Sequence, residues 1–137
     1  MKVSIVPYDR VAECWDEVAP LLKPAVEQSL GRFTLEDVYH LVVTQESHLW
    51  VVLDEDEIIA TCTTTFTQYP RKRMLTGQFL GGTRLMEWMG DLDEMLQRWG
   101  MDHGCAGIEL TGRRGWVRAL RDIGWNATFF ITEKGYE

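Results

Sequence analysis

Apolar and polar residues follow two different periods along this chain, and each period predicts one type of secondary structure. Strands are predicted at residues 2–7 and 107–110, where apolar and polar residues alternate, and at residues 48–53, 58–69, 74–80 and 127–132. Apolar residues spaced three or four apart, which is typical of helices, follow Asp9 and begin near Thr34, Arg84 and Gly115. The predicted order is therefore β-α-α-β-β-β-α-β-α-β.

Capping and breaking residues predict where the first two helices begin and end. Asp9 can cap the first helix, and Thr34 with Asp37 forms a variant capping box at the start of the second. Pro20 and Pro24 predict an irregular end to the first helix, because an interior proline removes a backbone hydrogen bond and clashes with the preceding turn.

This order of elements implies an α/β fold, a mixed sheet with helices on both faces, in one domain of residues 1–137. The strands that end at Leu80 and Leu110 are predicted to be parallel neighbours, because the long helix between them provides a right-handed crossover. Open α/β sheets bind ligands at the carboxyl ends of such strands. The rule predicts a cleft between residues 79–83 and residues 111–114.

Residues 107–125 carry the most specific signal. Ile108 and Leu110 alternate with Glu109, glycines break the strand at 112–115, and Gly124 suits the left-handed residue that ends a helix. This arrangement resembles the last βα unit of the GNAT superfamily of N-acetyltransferases, and the order of elements is similar to that family over nearly the whole chain, lacking a seventh strand. The resemblance implies a V-shaped splay between two central parallel strands, which takes the pantetheine arm of acetyl-CoA in the family.

The activity that the resemblance implies is transfer of an acyl group from acyl-CoA to an amine. In the family, the fourth strand leads into a turn of the form Arg-x-x-Gly-x-Gly or Gln-x-x-Gly-x-Gly, whose N–H groups cradle the cofactor pyrophosphate. Counted along this chain, the arginine falls on Arg84, and the glycines are replaced by Glu87 and Met89. A carboxylate at Glu87 is expected to repel a pyrophosphate.

Gly81 and Gly82 are a candidate substitute cradle or, alternatively, a plain strand-ending turn. The arginines at the start of the last helix either hold an anion or form a solvated helix face. The candidate cofactor-binding residues are Leu80, Gly81, Gly82, Arg84 and Arg114.

The resemblance also implies a tyrosine, four residues before Gly124, that protonates the departing thiolate. Leu120 occupies this position and cannot donate a proton, and Arg114 replaces the asparagine often found at the start of the helix. Glu109 is the candidate general base, because its strand neighbours are apolar and its side chain can face the cleft. The histidines are weaker candidates for this role: His40, His48 and His103.

Composition excludes several other classes of protein. The formal net charge is −7, from 14 basic and 21 acidic residues, so a general nucleic-acid binder is not expected. Cys14, Cys62 and Cys105 are far apart and lack metal-site spacing, which predicts reduced thiols and no metal. Neither a signal peptide nor a membrane span is predicted, so we expect a cytoplasmic protein, or a virion protein if it is phage-encoded.

Two functions stay open from the sequence. The first is an N-acyltransferase with acetyl-CoA as cofactor and a small-molecule or peptide amine as partner. The second is a non-catalytic binding or structural module without cofactor, since the chain is similar to small GNAT-like proteins of tailed phages. A homodimer or a larger assembly through residues 127–134 is also expected, because a last strand there leaves an unpaired apolar sheet edge unless the N-terminal helices cover it.

Overall fold

The computed structural model describes residues 1–110, 114–128 and 131–136, and the backbone alone for residues 114–117. A short 3-10 turn, Tyr8–Arg10, precedes the first helix. The strands are β1 (Lys2–Val6), β2 (His48–Asp54), β3 (Glu57–Gln68), β4 (Arg73–Gly82) and β5 (Gly107–Leu110). The helices are α1 (Val11–Glu27), α2 (Leu35–Val43), α3 (Leu85–Asp102) and α4 (Arg114–Arg121).

The five strands form one mixed sheet in the order β1-β2-β3-β4-β5. β1 to β4 pair with their neighbours in antiparallel fashion, whereas β4 and β5 are parallel. The predicted parallel pair is therefore confirmed, with α3 as the connection between its strands. β5 has the predicted bounds, and β4 continues to Gly82.

Helices cover both faces of the sheet, as predicted. α1 and α2 pack on one face in a core that includes Val11, Val18, Leu22, Val38, Leu49 and Phe79. α3 packs on the other face in a core that includes Trp50, Leu75, Trp88, Leu92 and Leu96. We call these the α1/α2 face and the α3 face. The three cysteines carry free thiols, and burial raises the pKa of Cys62 to about 12.

The first helix differs from its prediction at both ends. α1 continues as a regular helix through Pro20 and Pro24, so the expected irregular end is wrong. Both prolines lie on the exposed side of α1, four residues apart, so the carbonyl groups that lose a helical donor can bond to water. Asp9 lies in the 3-10 turn and does not cap α1. The capping box of α2 is confirmed, with a 3.1 Å hydrogen bond from the Asp37 N–H to Thr34 Oγ1.

The chain after α4 has no strand in its described residues. A sixth strand is predicted at residues 127–132, but residues 127–128 and 131–132 have no regular structure. Residues 129–130 lie outside the described residues.

Side-chain contacts tie this C-terminal segment to the rest of the chain. The Trp125 indole N–H donates to Asp93 Oδ1 of α3 at 2.7 Å. Arg32, in the loop after α1, pairs with Glu133 at 2.8 Å. Ile131 is nonetheless 72% exposed. Assembly through residues 127–134 stays a prediction.

Candidate functional site

The sequence predicts a ligand cleft at the carboxyl end of the parallel pair β4 and β5. The two strands pair from Met74 with Gly107 to Gly77 with Leu110, and β4 continues to Gly82, whereas residues 111–113 of the predicted cleft lie outside the described residues. We call this end of the pair, at Gly77 and Leu110, the fork, because the ligand cleft that the sequence predicts requires the two strands to splay there.

A β-bulge in β4 lies directly after the last described pair of β4 with β5. Thr63 and Thr64 are consecutive on β3, yet they oppose Phe79 and Gly77, which leaves Gln78 as the extra residue on β4. A bulge bends its strand and increases the local twist, which favours the predicted splay between β4 and β5. Ser47 fixes Gln78 by donating to its side-chain oxygen at 2.8 Å.

Gly77 allows β4 and β5 to meet at the base of the fork. A Cβ atom at this position would lie 2.8 Å from Leu110 Cδ1, which is closer than such contacts allow. The missing side chain therefore leaves room for the Leu110 side chain on the α3 face.

Glu109, the predicted base, lies one residue before the fork. Its neighbours Ile108 and Leu110 pack on the α3 face, so its own side chain points to the α1/α2 face. Tyr69 OH donates to Glu109 Oε1 at 2.7 Å, and Thr76 Oγ1 donates to the same oxygen at 2.9 Å. The hydrogen bond to Glu109 raises the pKa of the Tyr69 phenol.

Arg84, at the predicted pyrophosphate site, is bound by two carboxylates of the chain itself. Arg84 Nε and Nη2 donate to Glu87 Oε2 and Oε1 at 2.6 and 3.1 Å, and Arg84 Nη1 donates to Asp54 Oδ2 at 2.5 Å. These bonds raise the pKa of Arg84, and the Arg84 guanidinium lowers the pKa of Glu87. We call Arg84, Glu87 and Asp54 the α3 clamp.

The α3 clamp places negative charge at the start of α3, where the sequence predicts a pyrophosphate site. Arg84 has a left-handed backbone, with φ 59°, immediately before α3. Glu87 lies in the first turn of α3, so its carboxylate interacts favourably with the positive end of the helix dipole. An anionic ligand at this helix end has to compete with Glu87 for both the dipole and Arg84.

Close packing explains the two glycines at the end of β4. A Cβ atom on Gly81 would lie 1.9 Å from the carbonyl oxygen of Leu21 in α1. Gly82 has φ +140°, and a Cβ atom there would lie 2.5 Å from Ala60. Leu80 packs against the core of the α3 face. Binding of a cofactor by Leu80, Gly81 and Gly82 stays a prediction.

The remaining predicted residues are divided between the core, the surface and the part of the chain without described side chains. Leu120 is buried, at 4% exposure, in the core of the α3 face. Arg114 begins α4, and its side chain lies outside the described residues. His40 is exposed on α2.

His48 and His103 belong to an aromatic cluster on the α3 face, away from Glu109. The His48 ring lies 4.6 Å from the Trp99 ring and 4.9 Å from the Phe66 ring. His103 lies 4.1 Å from Trp99, and the Arg73 guanidinium stacks 3.9 Å above Phe66. Burial, followed by the positive charges of His103 and Arg73, lowers the pKa of His48 to about 4, although its contact with Thr64 opposes the shift.

We expect the protein to lose stability as the pH falls from 6.5 to 4. The unfolded chain binds a proton at position 48 in this range and the folded chain does not, so protonation favours unfolding. The expected loss is about 2 kcal/mol, below the full value of the shift because the ring is partly exposed. Urea denaturation at pH 7 and pH 4.5 measures it. His48→Asn should reduce the pH dependence of the unfolding free energy, and the matched variant His40→Asn should not. An equal change of unfolding free energy with pH in both variants would contradict the assignment of this effect to His48.

Sequence reasoning missed Tyr69, Thr76 and Asp54. Tyr69 and Thr76 follow the strand alternation that puts them on the same face as Glu109, but this signal needs the register between β3, β4 and β5. Among the described residues, no group of three His, Cys, Asp or Glu side chains could hold a metal ion. Within the same part of the chain, no helix has the length and apolar character to cross a membrane.

Solved structures with this fold include acetyltransferases. No protein-family model and no curated protein matches the sequence. A mutant of the BH1408 protein from Bacillus halodurans is similar at 19% identity and TM-score 0.75, with 100% of each chain covered. A ribosomal-protein-alanine N-acetyltransferase from Brucella melitensis is similar at 12% identity and TM-score 0.73, with 99% of this chain and 100% of that chain covered.

An aminoglycoside acetyltransferase from an uncultured soil sample, in complex with sisomicin, is similar at 14% identity and TM-score 0.70, covering 99% of this chain and 95% of that chain. Identities this low show the fold and not the activity. The chain has a GNAT-like fold, as its sequence predicts.

Proposed function

We propose that the protein is a GNAT-like acyltransferase that moves an acyl group from a thioester, acyl-CoA or its pantetheine part, to an amine. The observation that carries the proposal is the position of Glu109, one residue before the fork between β4 and β5. The fork is where a pantetheine arm enters in this fold. A carboxylate beside it is suited to bind an ammonium group and to take its proton.

The amine half of the proposed site is formed by the chain's own residues. Tyr69 and Thr76 hold Glu109 through its Oε1, so the carboxylate has a fixed orientation towards the α1/α2 face. An acyl thioester would supply the carbonyl carbon that the amine attacks. Leu120 offers no proton, so the departing thiolate takes a proton from solvent or from the reacting amine.

The pyrophosphate half does not fit acyl-CoA in the arrangement observed. The described hydrogen bonds of Arg84 go to Asp54 and Glu87. Glu87 would also repel the phosphates, because both are negatively charged. The fork itself carries no such obstacle among the described residues. We therefore expect a thioester to gain little affinity from its nucleotide part.

Glu87→Gln is expected to raise the affinity for acetyl-CoA about tenfold, because the change removes the repulsion and releases Arg84. Glu87 is preferable to the glycine position Met89, which is 8% exposed and belongs to the core, so a glycine there would leave a cavity. Calorimetric titration with acetyl-CoA and with S-acetylpantetheine measures the effect. The wild-type chain should bind the two ligands with similar affinity, and the variant should gain for acetyl-CoA alone.

Glu94→Gln is the matched control, since Glu94 is an exposed carboxylate of α3 that pairs with Arg98 outside the α3 clamp. Equal gains in the two variants would show a general charge effect. No binding of either thioester at millimolar concentration, in wild type or Glu87→Gln, would overturn the acyltransferase proposal.

A second function is favoured by the α3 clamp and by Leu120. Both features remove interactions that a cofactor or a leaving group needs: the chain's own carboxylates bind Arg84, and Leu120 packs in the core. A non-catalytic GNAT-fold module, binding partners or assembling through residues 127–134, is the function that remains if the titration finds no thioester. A role in a phage particle would be a case of this kind.

A further inference from the structure

Hydroxyl groups surround Glu109 on the α1/α2 face of the sheet. Thr67 of β3 and Tyr69, which directly follows β3, lie on this face, and Thr76 of β4 lies between them and Glu109 of β5. Thr67 Oγ1 and Thr76 Oγ1 are 2.6 Å apart, Thr76 Oγ1 is 2.9 Å from Glu109 Oε1, and Tyr69 OH is 2.7 Å from that oxygen. We call these four residues the hydroxyl cluster.

The position of every proton in the hydroxyl cluster follows from the hydrogen bonds. An ionised carboxylate only accepts, so Tyr69 and Thr76 each give their single proton to Glu109 Oε1. Thr76 has no second proton, so Thr67 must be the donor in the bond between the two threonines. All three hydroxyl protons therefore point inward, towards the carboxylate.

What the hydroxyl cluster presents to a ligand is then acceptors alone. Lone pairs remain on the oxygens of Thr67 and Tyr69. The described hydrogen bonds to Glu109 all go to Oε1, so among the described contacts Oε2 has no donor. Tyr69 is 38% exposed, so solvent and ligands reach it. A ligand group that only donates hydrogen bonds fits this arrangement, whereas a group that accepts finds no proton to receive.

We infer that the hydroxyl cluster selects a donor-only cation, a protonated amine with no anionic group beside it. Tyr69 and Thr67 are the specificity-determining residues, and Glu109 supplies the countercharge. Binding of the cation is independent of the proposed function, and only the role of that amine as acyl acceptor rests on it. The acceptor class is then alkylamines, polyamines and lysine-type side chains. α-Amino acids are excluded, because Glu109 and the lone pairs of the hydroxyl cluster would repel their carboxylate.

Ammonium binding can be measured without a thioester. In a ¹H–¹⁵N titration of the full chain at pH 7, propylammonium is the probe and glycine is its counterpart with a carboxylate. Propylammonium should bind with a Kd of about 1 mM and shift the amides of Thr67, Thr76 and Glu109. Glycine should bind about tenfold more weakly or worse, because its carboxylate is repelled by Glu109 and finds no hydrogen-bond donor in the cluster.

Variants separate recognition from folding. Tyr69→Phe keeps the ring and should weaken propylammonium about 3- to 10-fold, and Thr67→Val should do the same. Thr65→Val is the matched control, since the Thr65 hydroxyl donates to the Glu46 carbonyl at 2.8 Å and not to the cluster, and it should leave the affinity unchanged. Equal losses in all three variants, or glycine binding as tight as propylammonium, would overturn the inference.

The two proposals fail in different ways. Propylammonium bound at the cluster without any thioester binding would overturn the acyltransferase and leave the cation site. Acyl transfer to glycine as efficient as transfer to propylamine would keep the acyltransferase and overturn the acceptor class.

Discussion

Gly81→Ala is expected to lower the free energy of unfolding by about 3 kcal/mol or more. The added Cβ would lie 1.9 Å from the Leu21 carbonyl oxygen and 2.9 Å from its carbon, and both are backbone atoms that no rotamer change can move. α1 would have to shift as a whole, which disturbs the core formed with Leu22. Urea or thermal denaturation of the purified variant measures the loss.

Gly90→Ala is the matched control for this substitution. Gly90 lies inside α3, and nothing lies within 4 Å of a Cβ atom there. Alanine favours a helix interior by about 1 kcal/mol over glycine, so this variant should be slightly more stable than wild type. If Gly81→Ala instead kept its stability and lost affinity for a thioester, Gly81 would serve the cofactor, as the sequence suggested, rather than the packing of α1.

The elements that could be predicted from the sequence are those with local signals. β5 was predictable to its bounds because alternation and flanking glycines mark it, and the capping box fixed the start of α2. The parallel pairing of β4 with β5 followed from the helix between them. The irregular end of α1 predicted from Pro20 and Pro24 was wrong, because the rule against proline inside a helix does not take into account which side of the helix faces water.

The interactions of the candidate site depend on contacts between distant parts of the chain. Asp54 ends β2, and nothing in its local sequence indicates that it binds Arg84, 30 positions later. Tyr69 reaches Glu109 across 40 positions, and the bond exists only in the observed register of β3, β4 and β5. Glu109 itself could be singled out because its apolar neighbours fix its face, but its partners could not.

Glu109→Gln is expected to lower the rate of acyl transfer to an amine by 10²- to 10⁴-fold, the range typical of a lost general base. Glutamine can still accept the hydrogen bonds of Tyr69 and Thr76 through its side-chain oxygen, so the fold and the orientation at position 109 should be kept. It cannot take a proton from the amine. The rate is measured with S-acetylpantetheine and propylamine at pH 7, alongside the unfolding free energy.

Glu94→Gln is the matched control, because it makes the same change on the surface of α3, where the side chain is 70% exposed. The comparison separates a loss of proton transfer from a loss of stability. That control should keep both rate and stability. For Glu109→Gln the fall should appear in kcat as well as in kcat/KM, since the carboxylate acts on the reacting nitrogen and also binds the ammonium. A variant with wild-type kcat and a raised KM would limit Glu109 to binding, and the proton would then have to leave the amine through solvent.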